Sequence, residues 1–181
     1  MKNKNAFTLL ELLVVVLIIG ILAAIALSKY QLVVDKSEFA KLQSTVASLR
    51  DAYDEYVMIN GKGTNNFDNL SFTLPSDFVV SYQDYGLSQC RSNDNMFCCM
   101  SSYGDSWSAL INCGKKNLSF IYSESLFGFN GVKVKRQGRC LAEENNDRAN
   151  RLCESLGTKK GIGNNYTPSG YENRYLKYTL N

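Results

Sequence analysis

Between Leu12 and Ser28 the chain runs for 17 residues without a charge, and counted from Phe7 the apolar stretch reaches 22, with Glu11 its only ionisable group. As a helix rising about 1.5 Å per residue, 22 residues cover roughly 33 Å, enough to cross the hydrocarbon of a bilayer. Lys2 and Lys4 precede the stretch and Lys29 follows it. That charge placement keeps the leader side cytoplasmic and exports the long C-terminal part. Three kinds of segment fit these features. One is a secretory signal peptide cut after the small-x-small sequence Ala24-Ile25-Ala26. Another is a signal anchor that stays in the membrane. The third is a short leader removed ahead of an apolar helix that is kept.

Glu11 separates these readings. A carboxylate at the edge of an export signal contributes nothing to export, and ionisable groups in membrane helices are costly and usually functional. The pattern also continues past Ala26 through Lys29-Tyr30-Gln31. The run Lys4-Asn5-Ala6-Phe7-Thr8-Leu9-Leu10-Glu11-Leu12-Leu13-Val14-Val15-Val16, followed by Ile18-Ile19-Gly20-Ile21-Leu22-Ala23-Ala24-Ile25-Ala26, closely resembles the N-terminus of type IV pilins and pseudopilins. The resemblance implies cleavage between Ala6 and Phe7 by a prepilin peptidase and N-methylation of Phe7. It also makes Glu11 the fifth residue of the mature chain. Two positions depart from the family pattern. Ala6 stands where the family usually has Gly, and Ser28 stands where a Pro often breaks the helix. Gly20 is then the weakest helix former in the run.

A physical reason for Glu11 follows from the cleavage. The cut leaves a free α-amine on Phe7 at the start of an apolar helix. An ammonium and a carboxylate are both expensive in hydrocarbon, and each becomes tolerable when paired with the other. Within one subunit Glu11 lies one turn from Phe7. Between subunits the same pair would fix the axial register of neighbouring helices, and the resemblance implies this second arrangement. A Glu placed at the headgroup boundary is the alternative.

After Lys29 the pattern becomes amphipathic. Phe39, Leu42, Val46, Leu49, Tyr53 and Tyr56 recur at intervals of three and four, a helical stripe suited to covering a sheet. The stripe is shorter than three heptads, too short to favour a coiled coil. Asn60-Gly61 with Gly63 ends the helix. A helix from Phe7 to Ile59 would be about 80 Å long, more than a domain of this size can bury. Beyond it, strands are expected over Asp77–Tyr82, Leu118–Ser123, Gly131–Arg136 and Asn173–Leu180, with a short helix over Asp147–Leu156 stopped by Gly157. The last three strands should form an antiparallel sheet on the Phe39–Tyr56 stripe. Thr158–Gly170, rich in Gly and Asn, reads as a loop. The expected fold is α+β and pilin-like, in four parts. They are a leader (1–6), a transmembrane or filament-core helix (7–28), its amphipathic continuation (29–60) and a disulfide-stabilised β-rich head (61–181).

The 181 residues contain no histidine, which removes His-based acid–base catalysis, Ser-His-Asp and Cys-His nucleophiles, and imidazole metal ligands. Six cysteines, Cys90, Cys98, Cys99, Cys113, Cys140 and Cys153, all follow the membrane segment, on the side where disulfides persist. Three bridges are expected. Cys140 with Cys153 is the first pair, closing a loop over the short helix as pilins often do. Cys90 then pairs with Cys98 or Cys99, and the remaining one with Cys113. Adjacent Cys98 and Cys99 fit mutual disulfide geometry poorly. No C-x₂₋₄-C pair for zinc or redox chemistry exists, and no catalytic residue or cofactor is expected.

Glu143-Glu144-Asn145-Asn146-Asp147 lacks EF-hand spacing and reads as a helix start rather than a calcium site. Lys133, Lys135, Arg136, Arg139, Lys159 and Lys160 read as a solvated strand face. The net charge is +3, no aromatics interleave, and a nucleic-acid partner is not expected. The sequons at Asn69, Asn117 and Asn165 are short enough to arise by chance.

The expected function is assembly as a structural subunit of a type IV pilus or related filament. The expected partners are other pilin copies, the prepilin peptidase and N-methyltransferase, an inner-membrane assembly platform and the membrane itself. The chain would wait in the inner membrane with its C-terminal domain periplasmic and end on the cell surface. Alternatives are a minor pilin, a pseudopilin of a secretion or DNA-uptake system, and a secreted disulfide-rich binding module.

Overall fold

A computed structural model describes residues 8–84, 88–102, 109–116, 120–129, 132–164 and 174–180. One continuous helix, α1 (Leu9–Asn60), opens the chain. The chain divides into two compact units, residues 1–37 and 38–181, with the boundary inside α1. In the first unit every residue from Leu9 to Leu27 is exposed. Gly20 lies within unbroken helix.

In the second unit the rest of α1 turns an apolar stripe inward. Phe39, Leu42, Val46, Leu49, Tyr53 and Val57 are all buried. Val57 takes the final place expected of Tyr56, which is only half-buried. The helix ends through Gly61, whose φ of 71° suits glycine and whose N–H donates to the Val57 carbonyl at 2.8 Å. A 3₁₀ turn (Phe67–Asn69) follows, capped by the Asn66 side chain, and it buries Phe67.

Among the described residues the remaining chain forms one eight-stranded sheet. Its strands are β1 (Val79–Asp84), β2 (Ser88–Ser92), β3 (Met96–Ser102), β4 (Ala109–Lys115), β5 (Phe120–Phe129), β6 (Val132–Glu143), β7 (Gly157–Asn164) and β8 (Arg174–Leu180). The spatial order is β1-β2-β3-β4-β5-β6-β8-β7 and every neighbouring pair is antiparallel. The chain meanders through the first six strands. It then crosses through α2 (Asp147–Leu156) to the outer strand β7 and returns as β8 between β7 and β6.

The expected strands are present but longer or shifted, and they are joined by four that the sequence reading missed, β2, β3, β4 and β7. The loop expected over Thr158–Gly170 is strand as far as Asn164, and the rest of that span lies outside the described residues. Gly157 follows the last residue of α2 as the expected helix stop, donating its N–H to the Cys153 carbonyl, with its backbone extended at φ −169°. Its lack of a side chain also serves β-pairing, because a Cβ there would collide with the Thr179 carbonyl of β8.

The pleat gives the sheet two distinct faces. Phe39 packs tilted against Phe120 and edge-to-face against Tyr122, with ring centroids 6.0 and 5.6 Å away, which sets these positions and their cross-strand partners toward α1. Cys98, Met100, Ile111 and Cys113 share that face by register. On the opposite face Cys90, Phe97, Cys99, Ile121, Leu141 and Tyr175 form a second buried cluster.

Candidate assembly site and disulfide framework

Ala6 and Phe7, the two residues flanking the expected cleavage, lie outside the described residues. Glu11 sits in the first turn of α1. Its Oε2 accepts hydrogen bonds from the Thr8 backbone N–H at 2.9 Å and the Thr8 hydroxyl at 2.8 Å. The Glu11 N–H in turn lies 3.2 Å from Thr8 Oγ1. This is a capping box, in which an N-terminal Thr and the Glu three residues later satisfy each other's donors at the open end of a helix. The sequence reading missed Thr8, although Thr8-x-x-Glu11 at the head of an apolar run is the pattern that marks such a box.

The box solves part of the problem of a carboxylate in an apolar helix. Two donors from its own chain meet Oε2, so the group carries partial compensation before any neighbour arrives. Around it lies a continuous apolar surface. Leu9, Leu12, Leu13, Val16, Ile19 and Leu22 are each more than half exposed. A surface of that extent is not stable in water and calls for lipid or other helices. By length and composition α1 is able to cross a membrane.

In the second unit α1 is latched to the sheet by polar contacts as well as by its stripe. Lys115 Nζ of β4 lies 2.7 Å from Glu38 Oε2, and Lys41 Nζ lies 2.6 Å from Oε1. Lys115 first and Lys41 second hold the Glu38 carboxyl below its ordinary range. Arg50 Nη1 lies 3.2 Å from Glu124 Oε1 of β5. Tyr122, beside Glu124, has its phenol pushed up to about 12, by burial first and by the Glu124 charge second. The Tyr53 and Ser102 hydroxyls meet at 3.2 Å.

The six cysteines form three bridges, Cys90–Cys99, Cys98–Cys113 and Cys140–Cys153. The choice left open for Cys90 falls on Cys99. Cys90 stands directly opposite Cys99 in the β2–β3 register, and Cys98 directly opposite Cys113 in β3–β4. Neighbours along a strand point to opposite faces, so one bridge staples the α1 face and the other the far face. Cys140–Cys153 ties β6 to α2, which is further held by the Tyr178 hydroxyl donating to Asn150 Oδ1 at 3.1 Å. Among the described residues no group of three His, Cys, Asp or Glu side chains is gathered as a metal ion would need.

An exposed apolar helix headed by a capped Glu and followed by a disulfide-stapled antiparallel sheet is a pilin-like architecture. Residues 1–27 match the family model described as the prokaryotic N-terminal methylation motif. The chain is 44% identical over 93 residues to the type IV major alpha-pilin of Moraxella bovis, covering 51% of this chain and 53% of that protein. It is 38% identical over 64 residues to the type IV major fimbrial protein FimA of Dichelobacter nodosus, covering 35% and 41%. It is 39% identical over 72 residues to a probable minor fimbrial protein of the same organism, covering 38% and 45%. The matches thus span about half or less of these relatives' lengths. No solved structure matches the chain.

Proposed function

We propose that this chain is a structural subunit of a type IV pilus or a closely related filament, made as a prepilin and working by assembly rather than catalysis. The supporting observation is the exposed apolar helix, headed by a methylation motif and carrying Glu11 in its first turn. Cleavage between Ala6 and Phe7 frees an α-amine, which is then methylated. The subunit waits in the inner membrane with its C-terminal unit periplasmic. An assembly platform moves it from lipid into a bundle of like helices. The apolar side chains keep an apolar environment throughout, so extraction is not opposed by their hydration. The Phe7 amine of one copy pairs with Glu11 of another, which neutralises both and sets the axial step. The sheet unit faces outward and makes the surface contacts.

The test is Glu11→Ala in the native host. Membrane insertion and leader cleavage should persist, and filaments recovered by shearing should fall at least about tenfold, the effect of losing roughly 1.4 kcal/mol or more per intersubunit contact. Normal filament yield would contradict the assembly role. The likeness to a probable minor fimbrial protein favours a second reading, a minor subunit. The copy number of this chain in sheared filaments decides between the two.

A further inference from the structure

The bridges Cys90–Cys99 and Cys98–Cys113 interleave in sequence order, the first closing after the second has begun. The competing set, Cys90–Cys98 with Cys99–Cys113, joins cysteines in the order in which they leave the membrane. The native bridges have sequence separations of 9 and 15. Each competing bridge is one residue shorter. Loop-closure entropy grows only with the logarithm of length, so the unfolded chain barely distinguishes the sets and leans slightly toward the wrong one.

Only the folded sheet separates them. Cys99 is opposite Cys90 and Cys98 opposite Cys113 when β2, β3 and β4 are in their native register. The competing set puts each cysteine against the other member of the Cys98–Cys99 pair. That requires a one-residue slip on both sides of β3, and such a slip turns every side chain of a strand to the opposite face. Phe97, Met100 and Ile111, all buried in the native sheet, would then lose their packing. A chain oxidised before its sheet forms closes the competing set at least about as often as the native one, and each chain that does so is held out of the native register.

We infer that this chain is a substrate of a thiol–disulfide isomerase, a partner that carries a reactive thiolate and exchanges bridges without net oxidation. The catalyst thiolate attacks Cys98 Sγ of a Cys90–Cys98 bridge, forming a mixed disulfide and releasing the Cys90 thiolate. Cys90 attacks Cys99 Sγ of the Cys99–Cys113 bridge, forming Cys90–Cys99 and releasing the Cys113 thiolate. Cys113 then attacks Cys98 in the mixed disulfide, forming Cys98–Cys113 and returning the catalyst thiolate. Two bridges enter and two leave, with no electrons gained or lost. The inference rests on the connectivity alone and holds whether or not the chain builds a filament.

The test uses the full chain, reduced and unfolded, then returned to detergent micelles and oxidised with diamide in the absence of free thiol. Free thiols are blocked, and bridges are assigned by mass spectrometry with backbone fragmentation between Cys98 and Cys99. The native pair of bridges should make up about half or less of the product, because the two sets close with nearly equal entropy. Adding protein disulfide isomerase and reduced glutathione should raise it about twofold at a constant total number of bridges. The variant Cys98→Ser/Cys113→Ser leaves Cys90 a single nearby partner, and there the catalyst should change nothing. Three results would each overturn the inference. They are native pairing in nearly all of the uncatalysed product, no gain on adding the isomerase, and an equal gain in the variant.

Discussion

Arg50 of α1 and Glu124 of β5 stand 74 residues apart in sequence, yet they form an ion pair across the helix–sheet interface with the Glu124 side chain only 5% exposed. Removing one partner of such a pair leaves a buried charge uncompensated, whereas replacing both with apolar groups costs much less. Arg50 keeps some contact with solvent, which tempers the loss. Arg50→Ala should destabilise the fold by about 2 kcal/mol, and Arg50→Met/Glu124→Leu by less than half of that. Denaturant unfolding of the single and double variants measures the difference.

Phe39 is 1% exposed and meets the rings of Phe120 and Tyr122. Phe39→Ala removes that contact and leaves a cavity, at a cost of about 3–4 kcal/mol. Phe39→Leu should cost about half as much. Urea titration monitored by near-ultraviolet circular dichroism reads both.

Glu38 carries a depressed carboxyl pKa because Lys115 and Lys41 favour its ionised form. A group whose folded pKa lies below its unfolded value contributes stability that is present above the unfolded value. That contribution is lost as pH falls through the folded one. The fold should therefore weaken as the pH drops below the ordinary value of 4.5. Glu38→Gln should be less stable at pH 7 and should show a shallower acid limb. Thermal melts of parent and variant between pH 7 and pH 3 test this, and parallel curves would contradict it.

Thr8 caps the start of α1 through its N–H and hydroxyl. Thr8→Ala should cost about 1 kcal/mol of local helix stability, and Thr8→Ser a few tenths. In detergent micelles this appears as about fivefold faster amide hydrogen exchange at Glu11 for the alanine variant and little change for the serine variant.

The parts of the fold that were legible in the sequence are those whose cause is local. The periodic stripe from Phe39 marks α1, and the acidic start at Asp147 marks α2. Strands β2 to β4 were hidden because both their faces are buried and carry polar groups, so Ser88, Ser101 and Asn112 break any apolar alternation. β7 reads as loop residue by residue and exists because β8 pairs with it across the sheet edge. Val57 replaces Tyr56 in the stripe because positions three and four beyond Tyr53 both fit the helix period, which does not choose between them. In the candidate site Glu11 was legible from its charge in an apolar run. Thr8 was overlooked, although its spacing to Glu11 is local. The Arg50–Glu124 pair and the choice of Cys99 for Cys90 depend on strand register, which no local pattern reveals.

The most direct measurement is the intact mass and N-terminal sequence of this chain taken from filaments sheared off its own host. A chain that begins at Phe7 and is one methyl group heavier than its sequence requires is the predicted result. A chain beginning at Leu27, with Glu11 discarded in a cleaved signal, or absence of the chain from such filaments, would contradict the account.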